Sequence, residues 1–138
     1  MAIFVNDNGT LRQISFLAVN DDGTLRGINQ VFVNLLENAI KYGFDNTNVI
    51  VRIEQEKNKE IKVSVINNGE GIPDKYIDRL TERFFRVDKA RSRKIGGTGL
   101  GLAIVKHIID AHDENIFVQS TPKIGSEFSF TLQKKINP

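Results

Sequence analysis

Four glycines fall within residues 96–101 of the stretch IGGTGLGLAIVKHII, directly before a nearly all-apolar run. A glycine-rich turn feeding a helix aims backbone N–H groups, and the positive end of the helix dipole, at an anion. No Gly-Lys-Ser/Thr follows, so this is not a Walker A loop, and the spacing of Gly97, Gly99 and Gly101 by two is not G-x-G-x-x-G. Glycine density by itself leaves two readings level: a phosphate cradle, or a tight turn that packs a helix close to a sheet.

A second set lies upstream. In NQVFVNLLENAIKYG, residues 29–43, Gln30, Asn34, Asn38 and Lys41 recur at spacings of four and three, which places them on one helical face. Asparagine is a mediocre helix former, and a merely solvated face is usually built of Glu, Lys and Arg. Amides and a lysine in line suit phosphates and a cation; Mg²⁺ takes oxygen ligands and keeps waters and substrate phosphates around it. A third set is RFFRVDKARSRK, residues 83–94, with six basic residues and one acid. It reads as a solvated basic loop, a nucleic-acid contact, or a lid that neutralises polyphosphate, with Phe84 and Phe85 as its anchor. A fourth is VINNGEGIP, residues 65–73, where Gly69 and Gly71 let backbone approach something closely, just after Asn67.

The elements that must position these residues follow from periodicity. Ile28, Val31, Phe32, Leu35, Leu36, Ala39 and Ile40 repeat at helical spacing, with Gly43 as a stop. Residues 48–55 and 60–66 alternate with period two around the turn EKNK, which predicts an antiparallel pair. A short helix is expected from Pro73 to Arg83, a long loop over 84–97, a second helix over 98–112, and closing strands over 115–120 and 126–133 with Gly125 between them. Residues 5–14 and 19–28 match at eight of ten positions, too few copies for a solenoid; short strands at about 2–5 and 11–19 around a turn are the expectation. Phe4 and Ala18 stand where a calcium loop needs its first acid, which rejects calcium. The fold class is α/β (α+β): a two-layer sandwich, helices on one face of a mixed, largely antiparallel sheet.

Bulk properties agree with one domain of 138 residues, 40% hydrophobic and 26% charged. A net charge of +2 argues for neither nucleic acid nor membrane, and the absence of cysteine excludes thiolate chemistry, zinc-thiolate sites and disulfides. With no apolar run near the length of a membrane span and no signal-peptide pattern, the expected compartment is the cytoplasm, within a protein that is itself free to be membrane-anchored.

In order and type, NLLENAIKY, NNGEGIP, TERFFRVD and GGTGLGLAIVKHI resemble the N box, first glycine box, F box and second glycine box of sensor histidine kinase catalytic domains, the ATP-binding module with the Bergerat fold. The resemblance runs from about Gly27 to Leu132; residues 1–18 match no box, and 84–97 correspond to the ATP lid. It implies ATP and Mg²⁺. Asn38 is the implied metal ligand, and Asn34, Lys41 and Tyr42 line the phosphates and ribose. Arg86 and lid residues such as Arg91 meet the phosphates, with Asn34, Lys41 and Arg86 as catalytic residues. Gly97, Thr98, Gly99, Leu100, Gly101 and Leu102 wrap the triphosphate. Asn67, Gly69, Gly71 and Ser126 lie at the base, and Ile72 and Phe85 are further nucleotide-binding residues. The family's usual aspartate is Asn67 here, an amide able to turn oxygen or NH₂ toward the purine.

Asn34 stands where gyrase-like relatives carry a water-activating glutamate, which favours transfer to a protein over hydrolysis. Implied partners are a helical dimerisation and phosphoacceptor domain and a response regulator, with no nucleic acid and no direct membrane contact; the isolated domain is expected to be monomeric. His107 and His112 lack the acceptor-histidine context. Thr81 for an aromatic, Asp113 and Glu114 for two glycines, and Glu127 for a small hydroxyl residue are further departures. They keep open a nucleotide-binding pseudokinase acting as an interaction module. A serine kinase of the anti-sigma type is disfavoured by RVDKARSRK and AIVKHIIDAH.

Overall fold

The computed structural model describes residues 2–7, 10–17, 27–55, 60–87 and 100–134. The element order is β1 (Ala2–Asp7), β2 (Thr10–Leu17), α1 (Ile28–Lys41), β3 (Ile50–Gln55), β4 (Glu60–Asn68), α2 (Asp74–Ile77), α3 (Gly101–Ala111), β5 (Ile116–Thr121) and β6 (Gly125–Lys134). Every pairing among the described strands is antiparallel, so the expected mixed character is absent from them. The sheet runs β1-β2-β6-β4-β3, with β5 also on β6.

The apolar spacing of α1 does what it predicts. Ile28, Val31, Leu35 and Ala39 are all buried and face the sheet with Phe32, whose ring meets Phe130 edge-on at 5.4 Å. On β4 the inward set is Ile61, Val63, Val65 and Asn67; on β6 it is Phe128, Phe130 and Leu132; Val105 and Ile109 of α3, with Leu80 from the turn after α2, complete the core. The other face of the sheet carries polar pairs: Ser64 to Ser129 at 2.9 Å, Arg52 to Glu127 at 3.3 Å, and the Lys62 ammonium over the Phe117 ring.

Most strand ends shift from expectation by one to three residues, and three differences bear on the site. β4 continues to Asn68 because its ladder with β6 extends through Asn67↔Ser126 and Asn68↔Gly125. The helix expected over 73–83 is helical only at Asp74–Ile77, followed by turns whose bonds (Leu80 N–H to Ile77, Glu82 N–H to Arg79) span three residues. The second helix starts at Gly101, not at 98.

α3 ends in a Schellman turn: the Glu114 N–H donates to Ile109 O at 3.1 Å and the Asp113 N–H to Asp110 O at 3.0 Å. This places Asp113 at φ 54, a left-handed position that favours glycine. Asp113→Gly is therefore expected to raise stability by about 1 kcal/mol, read as a higher urea midpoint with an unchanged m-value.

Candidate nucleotide site

The polar stripe of α1 meets the start of α3. Gln30 Nε2 donates to Asn34 Oδ1 at 2.7 Å, and Asn34 Nδ2 donates to the carbonyl of Gly101 at 3.1 Å. One turn further along α1, Asn38 is half-buried, Lys41 is exposed, and Tyr42 caps the helix, half-buried. The first residues of an α-helix have N–H groups without intrahelical partners. The first turn of α3 holds no acidic residue, and Leu100 makes no side-chain cap. Among the described residues, a Cβ added at Gly101 would meet nothing within 4 Å, so none of them crowds that terminus. Amide oxygens on α1 and a helix N-terminus beside them fit a polyphosphate and a hard cation.

The first glycine box is a junction of backbones. The Phe44 N–H donates to Asn68 O, the Gly69 N–H to Ile124 O, the Lys123 N–H to Glu70 O, and the Ile72 N–H to Ser120 Oγ. A Cβ at Gly69 would lie 2.2 Å from Tyr42 O, and one at Gly71 (φ +69) would lie 2.3 Å from Thr121 O. The space these glycines leave is thus filled by protein main chain: the end of α1 on one side, the β5–β6 turn on the other.

Asn67 lies at the centre of this junction, 7% exposed. Its Nδ2 donates to Ala39 O of α1 at 3.1 Å, and its Oδ1 accepts from the Ser126 N–H of β6 at 3.0 Å. Turning the amide over would set oxygen against a carbonyl and NH₂ against an N–H, so the freedom to turn that the sequence suggested is absent. Ser126 is its ladder partner, and Ser126 Oγ lies 3.0 Å from Ser120 Oγ. Sequence reasoning missed Ser120 and the Ala39 carbonyl. A serine at an inward position of β5, in an alternation of otherwise apolar inward residues, is the signal that marks Ser120; nothing in sequence marks a carbonyl.

Phe85 packs on the core, tilted against Tyr76 at 5.8 Å and under the Arg79 guanidinium at 4.3 Å. Phe84 is 68% exposed at φ 63, so only one of the two phenylalanines anchors this segment. Arg86 is half-buried, and Leu102 packs against the core. Arg91, Gly97, Thr98 and Gly99, with most of the expected lid, lie outside the described residues. An open depression of about 420 Å³ is lined by Asp74, Ile77, Val118, Gln119 and Ser120. None of these belongs to the boxes legible in the sequence, and of them Ser120 links the depression to the Asn67 junction.

The family described as histidine kinase-, DNA gyrase B-, and HSP90-like ATPase matches residues 23–136. The chain belongs to that family. The sensor histidine kinase WalK of Bacillus subtilis (strain 168) is 43% identical over 107 residues, 77% of this chain and 18% of that protein. The chain thus spans about a fifth of the length of the curated relatives it matches. Among solved structures, a mycobacterial sensor histidine kinase, MprB, matches with a TM-score of 0.72 at 28% identity over 91% of this chain and 81% of that one. Full-length ShkA, in complex with AMPPNP, matches with a TM-score of 0.67 at 26% identity over 80% of this chain and 22% of that one.

Within this ATPase family the departures have local physical roles. Glu127 points to the face opposite the helices and pairs with Arg52. Glu114 accepts from the Thr131 hydroxyl at 2.6 Å, and burial, partly offset by that bond, raises its carboxyl above the usual range. His107 is exposed on α3, whereas the His112 ring lies 2.8 Å from Ile108 O. Among the described residues no helix is long and apolar enough to cross a membrane.

Proposed function

We propose that this domain binds Mg-ATP between α1, the Asn67 junction and the N-terminus of α3, and transfers the γ-phosphoryl group to a histidine on a separate helical dimerisation domain, as the catalytic half of a two-component sensor kinase. The observation that carries this reading is the Asn34–Gly101 contact, which sets the amide stripe of α1 beside the start of the second glycine box. Asn38 would hold Mg²⁺ through its amide oxygen; bound there, the ion neutralises charge on the β- and γ-oxygens. The N–H groups opening α3 receive phosphate oxygens, and Lys41, Tyr42 and Arg86 border the phosphate and ribose side. Asn67, Ser126 and Ile72 border the purine.

Asn34 sets the reaction class. Its oxygen already accepts from Gln30 and its nitrogen donates to Gly101 O, and an amide does not take a proton from water at neutral pH. The arrangement therefore positions a triphosphate for attack by a histidine brought by a partner, and activates no water of its own. Phosphoryl transfer needs little more than alignment and charge neutralisation. The buried, doubly bonded Asn67 also suits a pseudokinase in which this residue only braces the fold; phosphotransfer separates the two.

With γ-labelled ATP the chain alone is expected to remain unlabelled, since neither histidine sits as an acceptor. Adding the helical domain of its own kinase in trans should give acid-labile label on that added domain. Acid-labile label on this chain alone would contradict the assignment.

A further inference from the structure

We propose that Asn67 makes the purine subsite ambivalent, so that 6-oxopurine nucleotides of the GTP type bind alongside 6-aminopurine nucleotides of the ATP type. The inference rests on the reading that position 67 faces the purine 6-position. The amide is fixed from two sides, by Ala39 O on Nδ2 at 3.1 Å and by the Ser126 N–H on Oδ1 at 3.0 Å. Both partners are backbone groups, on α1 and β6, so neither can reorient to suit a flipped amide. A primary amide carries two N–H donors and two acceptor lone pairs. After these bonds, one N–H and one lone pair remain, and at 7% exposure little water competes for them.

A carboxylate at the same place has acceptors only. It takes the amine of a 6-aminopurine and repels the O6 carbonyl of a 6-oxopurine, and such unpaired contacts are what make a polar site selective. The fixed amide meets either edge: its lone pair accepts from an exocyclic amine, and its N–H donates to a carbonyl. The neutral bond is weaker than a charge-assisted one, so the widened choice comes with lower affinity for the amine. Selectivity of this site then depends on one atom, Nδ2, and on the Ala39 carbonyl that holds it in place.

The test is calorimetric titration of the native chain and of Asn67→Asp, each with non-hydrolysable ATP and GTP analogues in the presence of Mg²⁺. The native chain is expected to bind the two analogues within about tenfold of each other. Asn67→Asp is expected to discriminate against the GTP analogue by about a hundredfold or more. The aspartate faces the Ala39 carbonyl, so its folding is checked by circular dichroism; if it does not fold, the two titrations of the native chain decide. A native chain that binds the ATP analogue a hundredfold better than the GTP analogue overturns the proposal and leaves nucleotide binding standing. Identical discrimination by the two proteins overturns it as well. Binding of neither analogue by folded native protein overturns both this proposal and the nucleotide reading beneath it.

Discussion

Gly71→Ala is expected to cost about 3–5 kcal/mol, enough to leave much of a marginally stable domain unfolded, and Gly69→Ala to cost about 3 kcal/mol. At Gly71 two penalties add. A non-glycine residue at φ +69 is strained by about 1–2 kcal/mol. The new Cβ would also lie 2.3 Å from Thr121 O and 2.9 Å from Pro122 Cα. At Gly69 the backbone conformation is permissive, but Tyr42 O stands 2.2 Å from the Cβ position. Neither obstacle is a side chain that can swing aside. Relief requires moving the end of α1 or the β5–β6 turn, which breaks the bonds that tie this loop to Phe44, Ile124 and Lys123. Gly101→Ala supplies the contrast: its Cβ meets nothing among the described residues, so stability should change by less than about 1 kcal/mol and in the favourable direction for a helix. Urea unfolding of the three variants reads the series. Equal, small effects at all three positions would mean that the loop does not pack as described.

Asn38→Ala is expected to remove most of the magnesium-dependent part of nucleotide affinity, about a hundredfold, while leaving the fold intact. The position lies on the half-buried stripe of α1, away from the Ile28–Ala39 core face, so the substitution opens no cavity among fully buried side chains. The discriminating readout is the difference between titrations in Mg²⁺ and in EDTA. In EDTA the variant and the native chain should bind alike; in Mg²⁺ only the native chain should gain. An equal loss under both conditions would make Asn38 a contact to the nucleotide itself and not to the cation.

Sequence periodicity made most of this architecture legible because the buried faces are local patterns. The run Ile28, Val31, Leu35, Ala39 can only be one face of a helix, and the alternation of 60–66 can only be a half-buried strand. The chain stretch most easily misread was NNGEGIP. Its glycines suggested a close ligand, whereas the neighbours they accommodate are Tyr42 and Thr121 main chain, brought there by tertiary packing. Asn67 shows the same limit. The residue type was conspicuous, but its orientation is set by Ala39 and Ser126, 28 and 59 positions away, and by backbone atoms that have no sequence signature. Phe84 and Phe85 look equivalent in sequence; the turn after Leu80 sends one to the core and the other to solvent. The expected helix to Arg83 failed because that segment closes in three-residue turns around Arg79 and Glu82.

On the proposed reading, the α1 amide stripe and the N-terminus of α3 together hold Mg-ATP. Isothermal titration with a non-hydrolysable ATP analogue tests it most directly, run in Mg²⁺ and again in EDTA on protein shown to be folded by circular dichroism. One site per chain, with affinity at least about tenfold stronger in Mg²⁺, is the predicted result. No heat in either buffer at about 1 mM ligand would contradict it.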